Sequence, residues 1–451
     1  MSENRSHPNH DRRLIEDRLG ERARLYGDEK AVLVAIGTNP DAIEGDLHEL
    51  SLLADTAGIP TIATVTQHRR KPDPSTYVGK GKAEEIHRLV GTSGADAVIF
   101  AHALSPAQAR NLEDAVKTKV IDRSQLILDI FAQRASTKEA RLQVELAQLT
   151  YLLPRLRGWG HALTRLGGGI GTRGPGETQL EVDRNKIRLR IHALKRELVT
   201  ASHERALRRR RRERSHLPQV VLVGYTNSGK STLLNALTSS DVHVENQLFA
   251  TLTTFVRRGE IDSSREALFI DTVGFIRDLP HNLIPAFAAT LEAVQHADLL
   301  LHVVDGSSPT ADLEIASVRD TLEREVFADD REAPPQIVVI NKCDIPHGSP
   351  NTLRVHGNRV NISAKRGDGL ADLHEMIALQ LADQASWVEL AVPFAATDLL
   401  HRELGNHDGS LEHLGYDSHG ALVRAHLAPP QLARLLKAGA TIIAPHLEKA
   451  P

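Results

Sequence analysis

One cysteine, Cys343, stands in a chain of 451 residues. That excludes an internal disulfide framework and a Cys-rich zinc site. No apolar run approaches the roughly 20 residues that span a bilayer. The opening "MSENRSHPNHDRRLIEDRLGER" is polar and charged, so it lacks the apolar stretch of a secretory signal. The expectation is a cytoplasmic protein without a membrane span. Histidines number 23, but His401, His407, His413, His419 and His426 fall six or seven apart, without the i, i+4 spacing that puts two ligands on one helix face. They read as solvated or capping residues. No convincing internal repeat is present.

The length exceeds one ordinary domain, since single cores stop growing near 250 to 300 residues, and 41% apolar content is enough for packed cores. The net charge of -3 hides an uneven distribution. Between Tyr151 and His216 there are 17 Lys and Arg against 6 Asp and Glu, +11, which leaves -14 on the rest. Such asymmetry points to a polyanion-facing region on an otherwise acidic molecule.

A polar segment (1–28) is expected to be flexible. In 29–134, short apolar runs such as "AVLVAI" and "ADAVIF" alternate with helical stretches, which predicts a small parallel α/β domain. In 135–216 the pattern becomes helical alone. Leu142, Leu146, Leu149 and Leu153, then Ile187, Ile191, Leu194 and Leu198, predict an antiparallel hairpin. The turn between them, Pro154 to Gly176, is too long for an ordinary connection. It holds eight glycines, Arg155, Arg157, Arg165, Arg173, Trp159 and no acid. Charge and a stackable ring suit RNA phosphates and unpaired bases. Arg184, Lys186, Arg188, Arg190 and the run Arg208 to Arg212 extend the basic character. Residues 217–385, which alternate strands and helices and carry G-x-x-x-x-G-K-[ST] at Gly224 to Ser231, read as a Ras-like P-loop domain, and 386–451 as a small α+β domain.

"VVLVGYTNSGKSTLLNAL" fits G-x-x-x-x-G-K-[ST] after an apolar strand and before a helix. Gly224, Tyr225, Thr226, Asn227, Ser228 and Gly229 would wrap phosphates with backbone amides, Lys230 would reach the β/γ oxygens, and Ser231, beside Thr232, would bind Mg²⁺. "FIDTVG" supplies Asp271, Thr272, Val273 and Gly274, with Asp271 on a Mg²⁺-bound water and the Gly274 amide sensing the γ-phosphate. "NKCD" supplies Asn341, Lys342, Cys343 and Asp344. An aspartate accepts from guanine N1–H and its exocyclic amine, a donor pair that adenine lacks, so the base is guanine. Ser363, Ala364 and Lys365 of "ISAK" would back the base through the Ala364 amide. Cys343 is expected as a buried small residue. A switch hydroxyl for Mg²⁺ comes from Thr251, Thr253 or Thr254, and composition leaves the three open. "GKGK" at Gly79 to Lys82 reads as a tight strand-to-helix turn, with phosphate binding as the alternative.

These stretches, together with "LQVELAQLTYLLPRLRGWG", "GTRGPGETQLE" and "QLFATL", resemble the HflX family of translation-related GTPases over nearly the whole chain. The resemblance implies GTP hydrolysis to GDP with Mg²⁺. It makes "FATLT", Phe249, Ala250, Thr251, Leu252 and Thr253, the first switch, with Thr251 and Ser231 on the metal and Lys230, Thr251, Asp271 and Gly274 as the hydrolytic residues. Thr253 and Thr254 depart from the family's Asp and Pro. Phe275 follows Gly274 where many GTPases carry a water-positioning glutamine, so hydrolysis should be slow until a partner orders the switches. The implied partners are the large (50S) ribosomal subunit, its rRNA and intact ribosomes, which some such proteins split into subunits. An ATP site in the first domain is also implied. The chain is expected to be a monomer. A large-subunit assembly or hibernation factor and an ATP-driven RNA remodeller are the rival readings.

Overall fold

A computed structural model describes residues 29–156, 179–215, 217–238, 248–249, 254–261, 265–277, 287–327, 333–345, 353, 357–382, 386–404, 411–427 and 429–444. The expected flexible segment 1–28, most of the glycine-rich loop and the switch residues Ala250 to Thr253 lie outside them. The described residues form two compact units, one from those up to Val199 with Leu248 and Phe249, the other from the remainder.

In the first unit, β1 (Ala31–Gly37), β2 (Thr61–His68), β3 (Ala97–Phe100) and β4 (Lys119–Asp122) form a parallel sheet in the order β2-β1-β3-β4. Strand β1 is apolar almost throughout because helices cover both faces of such a sheet. Helix α1 (Pro40–Thr56) starts at Asn39, whose side chain accepts the Asp41 amide. Helix α2 (Lys80–Ser93) begins inside "GKGK", which was expected to precede it as a tight turn: Gly79 is the cap, its amide going to Gln67 Oε1, while Lys80, Gly81 and Lys82 form the first helical residues and Lys82 pairs with Glu85. Helix α3 (Pro106–Val116) opens with a reciprocal cap between Ser105 and Gln108.

Asp122 ends β4, caps α4 (Arg123–Arg134) and is buried. Its carboxylate accepts from the Leu104 and Gln125 amides, Tyr151 Oη and Arg155 Nη2, at 2.6 to 3.1 Å. A buried carboxylate needs such a set of donors to be tolerated. Arg155 was expected at the phosphate-facing tip; instead it also donates to the Leu104 and Tyr151 carbonyls and lies 3.6 Å over the Tyr151 ring. Helices α5 (Lys138–Leu152) and α6 (Gln179–Ser215) then meet along Leu142, Leu146, Leu149, Ile187 and Leu194. Each such side chain contributes roughly 1.5 to 3 kcal/mol by leaving water. Arg190 grips Glu145 through two hydrogen bonds at 2.7 and 2.8 Å. Its charge therefore serves the helix pair.

In the second unit, β5 (Gln219–Gly224), β6 (Phe255–Glu260), β7 (Glu266–Asp271), β8 (Leu299–Asp305), β9 (Gln336–Asn341) and β10 (Arg359–Asn361) lie in the order β10-β9-β8-β5-β7-β6. All neighbours are parallel except β6 and β7. The strand order reverses direction at β5, and in open parallel sheets ligands bind at the carboxyl ends beside such a point. Helices α7 (Lys230–Thr238), α8 (Ala288–Gln295), α9 (Ala311–Glu325) and α10 (Leu370–Ala382) complete this part. An antiparallel sheet of β11 (Ser386–Pro393), β12 (Leu411–Tyr416), β13 (Gly420–Leu427) and β14 (Thr441–Ala444) carries α11 (Thr397–Leu404) and α12 (Pro429–Lys437), the expected α+β arrangement.

His302 is the one histidine in the apolar strand β8. It is buried, and Gln336 Nε2 lies 3.0 Å from its Nδ1. Burial first, then repulsion from Arg319 and Lys230, pushes its pKa down to about 4. The unfolded chain binds that proton near pH 6.5, so the stability from neutral His302 is complete above pH 6.5 and lost as pH falls towards 4. Urea unfolding at pH 7 and pH 4.5 should show the natural chain losing about 2 kcal/mol more than His302→Leu does over the same interval.

Candidate nucleotide site

The turn from β5 into α7 runs through Gly224, Tyr225, Thr226, Asn227, Ser228 and Gly229. Gly229 has φ +93°, and a Cβ there would lie 2.2 Å from Asn341 Nδ2. Lys230 is buried, and its Nζ donates to the Tyr225 carbonyl at 2.7 Å and the Gly224 carbonyl at 3.1 Å. Burial pushes its pKa down to about 8; Asp271 opposes this and Lys342 reinforces it. The buried hydroxyls of Thr226 and Ser228 have no hydrogen-bond partner among the described residues. Such atoms are costly unless a ligand uses them. Thr232 is half-buried one residue into the helix from Ser231.

Strand β7 delivers Asp271, whose Oδ2 accepts from Ser231 Oγ at 2.6 Å. Beyond it, Thr272 Oγ1 donates to the Leu222 carbonyl and the Val273 amide to Thr290 Oγ1. A Cβ on Gly274 would meet Thr226 Cα at 2.8 Å and Lys230 Nζ at 3.0 Å, so this backbone can approach the phosphate loop only as glycine. Phe275 pairs with the loop in both directions: its amide donates to the Gly224 carbonyl, and its carbonyl accepts the Thr226 amide. Its ring is fully buried and stacks on Phe287 at 6.2 Å.

Strand β9 ends at buried Asn341. Its Nδ2 donates to the Ser228 carbonyl at 2.9 Å and its Oδ1 accepts the Ala364 amide at 2.9 Å. The Ala364 amide, expected to back a base directly, is thus committed to the Asn341 carboxamide. Lys342, at φ +63°, pairs with Asp305 at 2.6 Å. Asp344 Oδ1 accepts from Ser363 Oγ at 2.7 Å, and that bond is the first cause holding its pKa below the usual value. Cys343 departs from expectation: the residue is exposed, not buried, although its thiol is turned inward to the Ile340 carbonyl and burial pushes its pKa up. Lys365 is exposed.

Sequence reasoning missed the Asp305 partner of Lys342 and the Tyr225 hydroxyl that accepts the Arg277 amide at 2.9 Å. Neither belongs to a spaced motif. Of the switch residues, Phe249 is described in the first unit, edge-on to Phe131 at 4.7 Å, while Ala250, Thr251, Leu252 and Thr253 lie outside the described residues.

A GTPase HflX from Caldanaerobacter subterraneus is 49% identical over 82% of this chain and 84% of its own length. The chain belongs to the HflX family of GTPases. The GTPase HflX of Escherichia coli is 43% identical over 86% of this chain and 93% of its own. Residues 44–132 match the GTP-binding GTPase N-terminal family, 134–212 the GTP-binding GTPase middle region, and 219–342 the 50S ribosome-binding GTPase family. Among solved structures, a GTP-binding protein from Sulfolobus solfataricus in complex with GDP aligns over 78% of this chain and 98% of its own, at 23% identity and a TM-score of 0.42.

A family of GTPases implies Mg²⁺. The residues present fit it: Ser231 and Asp271 offer adjacent hard oxygen donors, the kind Mg²⁺ takes alongside phosphate and water. Lys230 has a pH signature of its own. A bound polyphosphate favours its charged form, so affinity should be highest below pH 8 and fall by up to about tenfold per pH unit above it, until the pKa of the complex is reached. Titrating labelled GDP from pH 7 to 9.5 should show this fall, and Lys230→Arg, charged throughout, should lack this component.

Proposed function

We propose that the chain binds and hydrolyses GTP, associates with the large (50S) ribosomal subunit and its rRNA, and splits intact ribosomes into subunits while GTP is bound. Hydrolysis then permits release. The observation that carries the nucleotide reading is the cradle itself: a buried lysine held on its own loop's carbonyls, two buried hydroxyls without partners among the described residues, and a carboxamide tying that loop to the "NKCD" and "ISAK" segments. Ribosome association is supported by the match of 219–342 to the 50S ribosome-binding GTPases and by the +11 segment from Tyr151 to His216.

In this reading Lys230 leaves the Gly224 and Tyr225 carbonyls for the β/γ-phosphate oxygens. Gly224 to Thr232 wrap the phosphates, and the Thr226 and Ser228 hydroxyls gain acceptors. Ser231 and Thr251 would hold Mg²⁺, with Asp271 placed to accept from a water on it, and the ion would spread the charge of the transferring phosphoryl group. The Gly274 amide senses the γ-phosphate. Asn341 and Asp344, backed by Ser363 to Lys365, select guanine, and the FATLT segment forms the first switch. Phe275, buried against Phe287, cannot orient water by hydrogen bonding, so the ribosome supplies or orders the missing group.

Residues 29–134 and 135–216 act as the ribosome-entering part, 217–385 as the GTPase domain and 386–451 as its appendage. The setting is the cytoplasm and the acting species a monomer. An ATP site at "GKGK" finds no support, because the Gly79 amide and Lys82 already have partners within the fold.

Turnover measured alone and with large subunits should be slow without them and strongly stimulated with them. Lys230→Ala should abolish both, and normal stimulated turnover in that variant would sink the site assignment. Fast turnover by the isolated chain would mean that the water is oriented from within. Sucrose gradients of intact ribosomes mixed with protein and GTP should lose the intact peak. If protein migrates with an undiminished peak, the assembly or hibernation reading replaces splitting.

A further inference from the structure

The first unit contains a cavity of about 550 Å³ between the start of α3, the end of α5 and the start of α6. Arg110, Arg155 and Arg184 line it, together with apolar surface from Pro106, Leu153 and Pro154, and none of its described lining residues is acidic. The three guanidinium groups stand differently. Arg155 is fixed by Asp122 and two carbonyls, which occupy three of its five donors, and forms a rigid wall. Arg184 is the unusual one: its Nε is buried and has no hydrogen-bond acceptor among the described residues.

A buried donor on a cation without an acceptor is expensive. Such a group in a native fold calls for an explanation, and a ligand that supplies the acceptor is one. The Ala107 amide, in the first turn of α3, also has no acceptor within its helix, and that helix end favours an anion. Arginine's planar fork matches phosphate oxygens in pairs. The volume is far more than a phosphate group alone requires and lies in the range of small-ligand pockets, about 300 to 1,000 Å³, while the proline and leucine walls suit a sugar or base face.

We propose that this cavity receives one nucleotide of a single-stranded RNA segment, with its phosphate on Arg184 and Arg110. A strand is favoured over a free nucleotide because the basic track continues: Arg188 is exposed one helical turn beyond Arg184 on the same face of α6, in position for the next phosphate. The inference rests on the ribosome-associating reading and gives it a discrete contact in the first unit.

The test uses the full chain and a fluorescein-labelled ten-nucleotide single-stranded RNA, with anisotropy read over a range of salt. Arg184→Ala should weaken binding about tenfold, and the slope of log affinity against log salt should fall by about 0.7, the value of one single-strand phosphate contact. Arg184→Lys should recover part of the affinity, and Arg110→Ala should weaken it in the same way. The melting temperature of Arg184→Ala should stay level or rise, because a cation kept for a ligand does not support the fold. Unchanged RNA affinity in both alanine variants, or a lowered melting temperature for Arg184→Ala with normal RNA binding by Arg110→Ala, overturns the proposal. Displacement of the RNA by micromolar AMP or inorganic phosphate assigns the cavity to a free phosphate compound and also overturns it. Co-sedimentation of the natural chain with large subunits separates the two readings. Its failure removes the ribosome reading, whereas normal co-sedimentation with indifferent arginine variants removes the cavity inference alone.

Discussion

The candidate nucleotide site depends on the side chain of Asn341. One amide group, buried at the end of β9, donates to the Ser228 carbonyl in the phosphate loop and accepts the Ala364 amide from the segment after β10. Three segments far apart in the chain are thereby held at one edge of the sheet. The contact also explains the glycine at 229, since any side chain there would occupy the space of the Asn341 amide. A buried amide with both ends satisfied is stable where a half-satisfied one would not be, so the loop, the segment after β10 and the end of β9 stand or fall together.

The same edge concentrates unmet polar capacity. Lys230 is held by carbonyls that belong to its own loop, and its depressed pKa records how little solvent or compensating charge it has. The hydroxyls of Thr226 and Ser228 are likewise buried without partners among the described residues. Preorganised donors aimed at a place where negative charge will sit cost stability in the empty protein and strengthen binding of an anion. Phe275 contributes in the opposite way. Its backbone is part of the cradle while its ring belongs to the core.

In the first unit Asp122 has the corresponding role. By accepting from the Leu104 and Gln125 amides, Tyr151 and Arg155, it ties β4, the start of α4 and the end of α5. Burial and the Asp122 charge push the Tyr151 pKa well up, which keeps that hydroxyl a donor. Arg155, counted by composition among the cations of a glycine-rich loop, is consumed by this network, and Arg190 by Glu145. Arg184 sits in the same basic stretch with a buried Nε that is not satisfied in this way.

The motif residues and the element types were legible because they depend on local spacing. A phosphate loop needs its glycines and lysine at set intervals after a strand, alternating strands and helices need only their apolar periods, and the leucine and isoleucine rows of α5 and α6 announced their own pairing. Partnerships across the chain were not legible. Nothing in the run of letters distinguishes Arg155 from Arg184, turns the Ala364 amide to Asn341, pairs Lys342 with Asp305 or leaves Cys343 exposed. Sequence by itself determined which chemical groups are available and which elements carry them. Only the tertiary structure decided which groups are already satisfied and which remain for a ligand, because hydrogen bonds and ion pairs act over a few ångströms and are set by packing, not by distance along the chain.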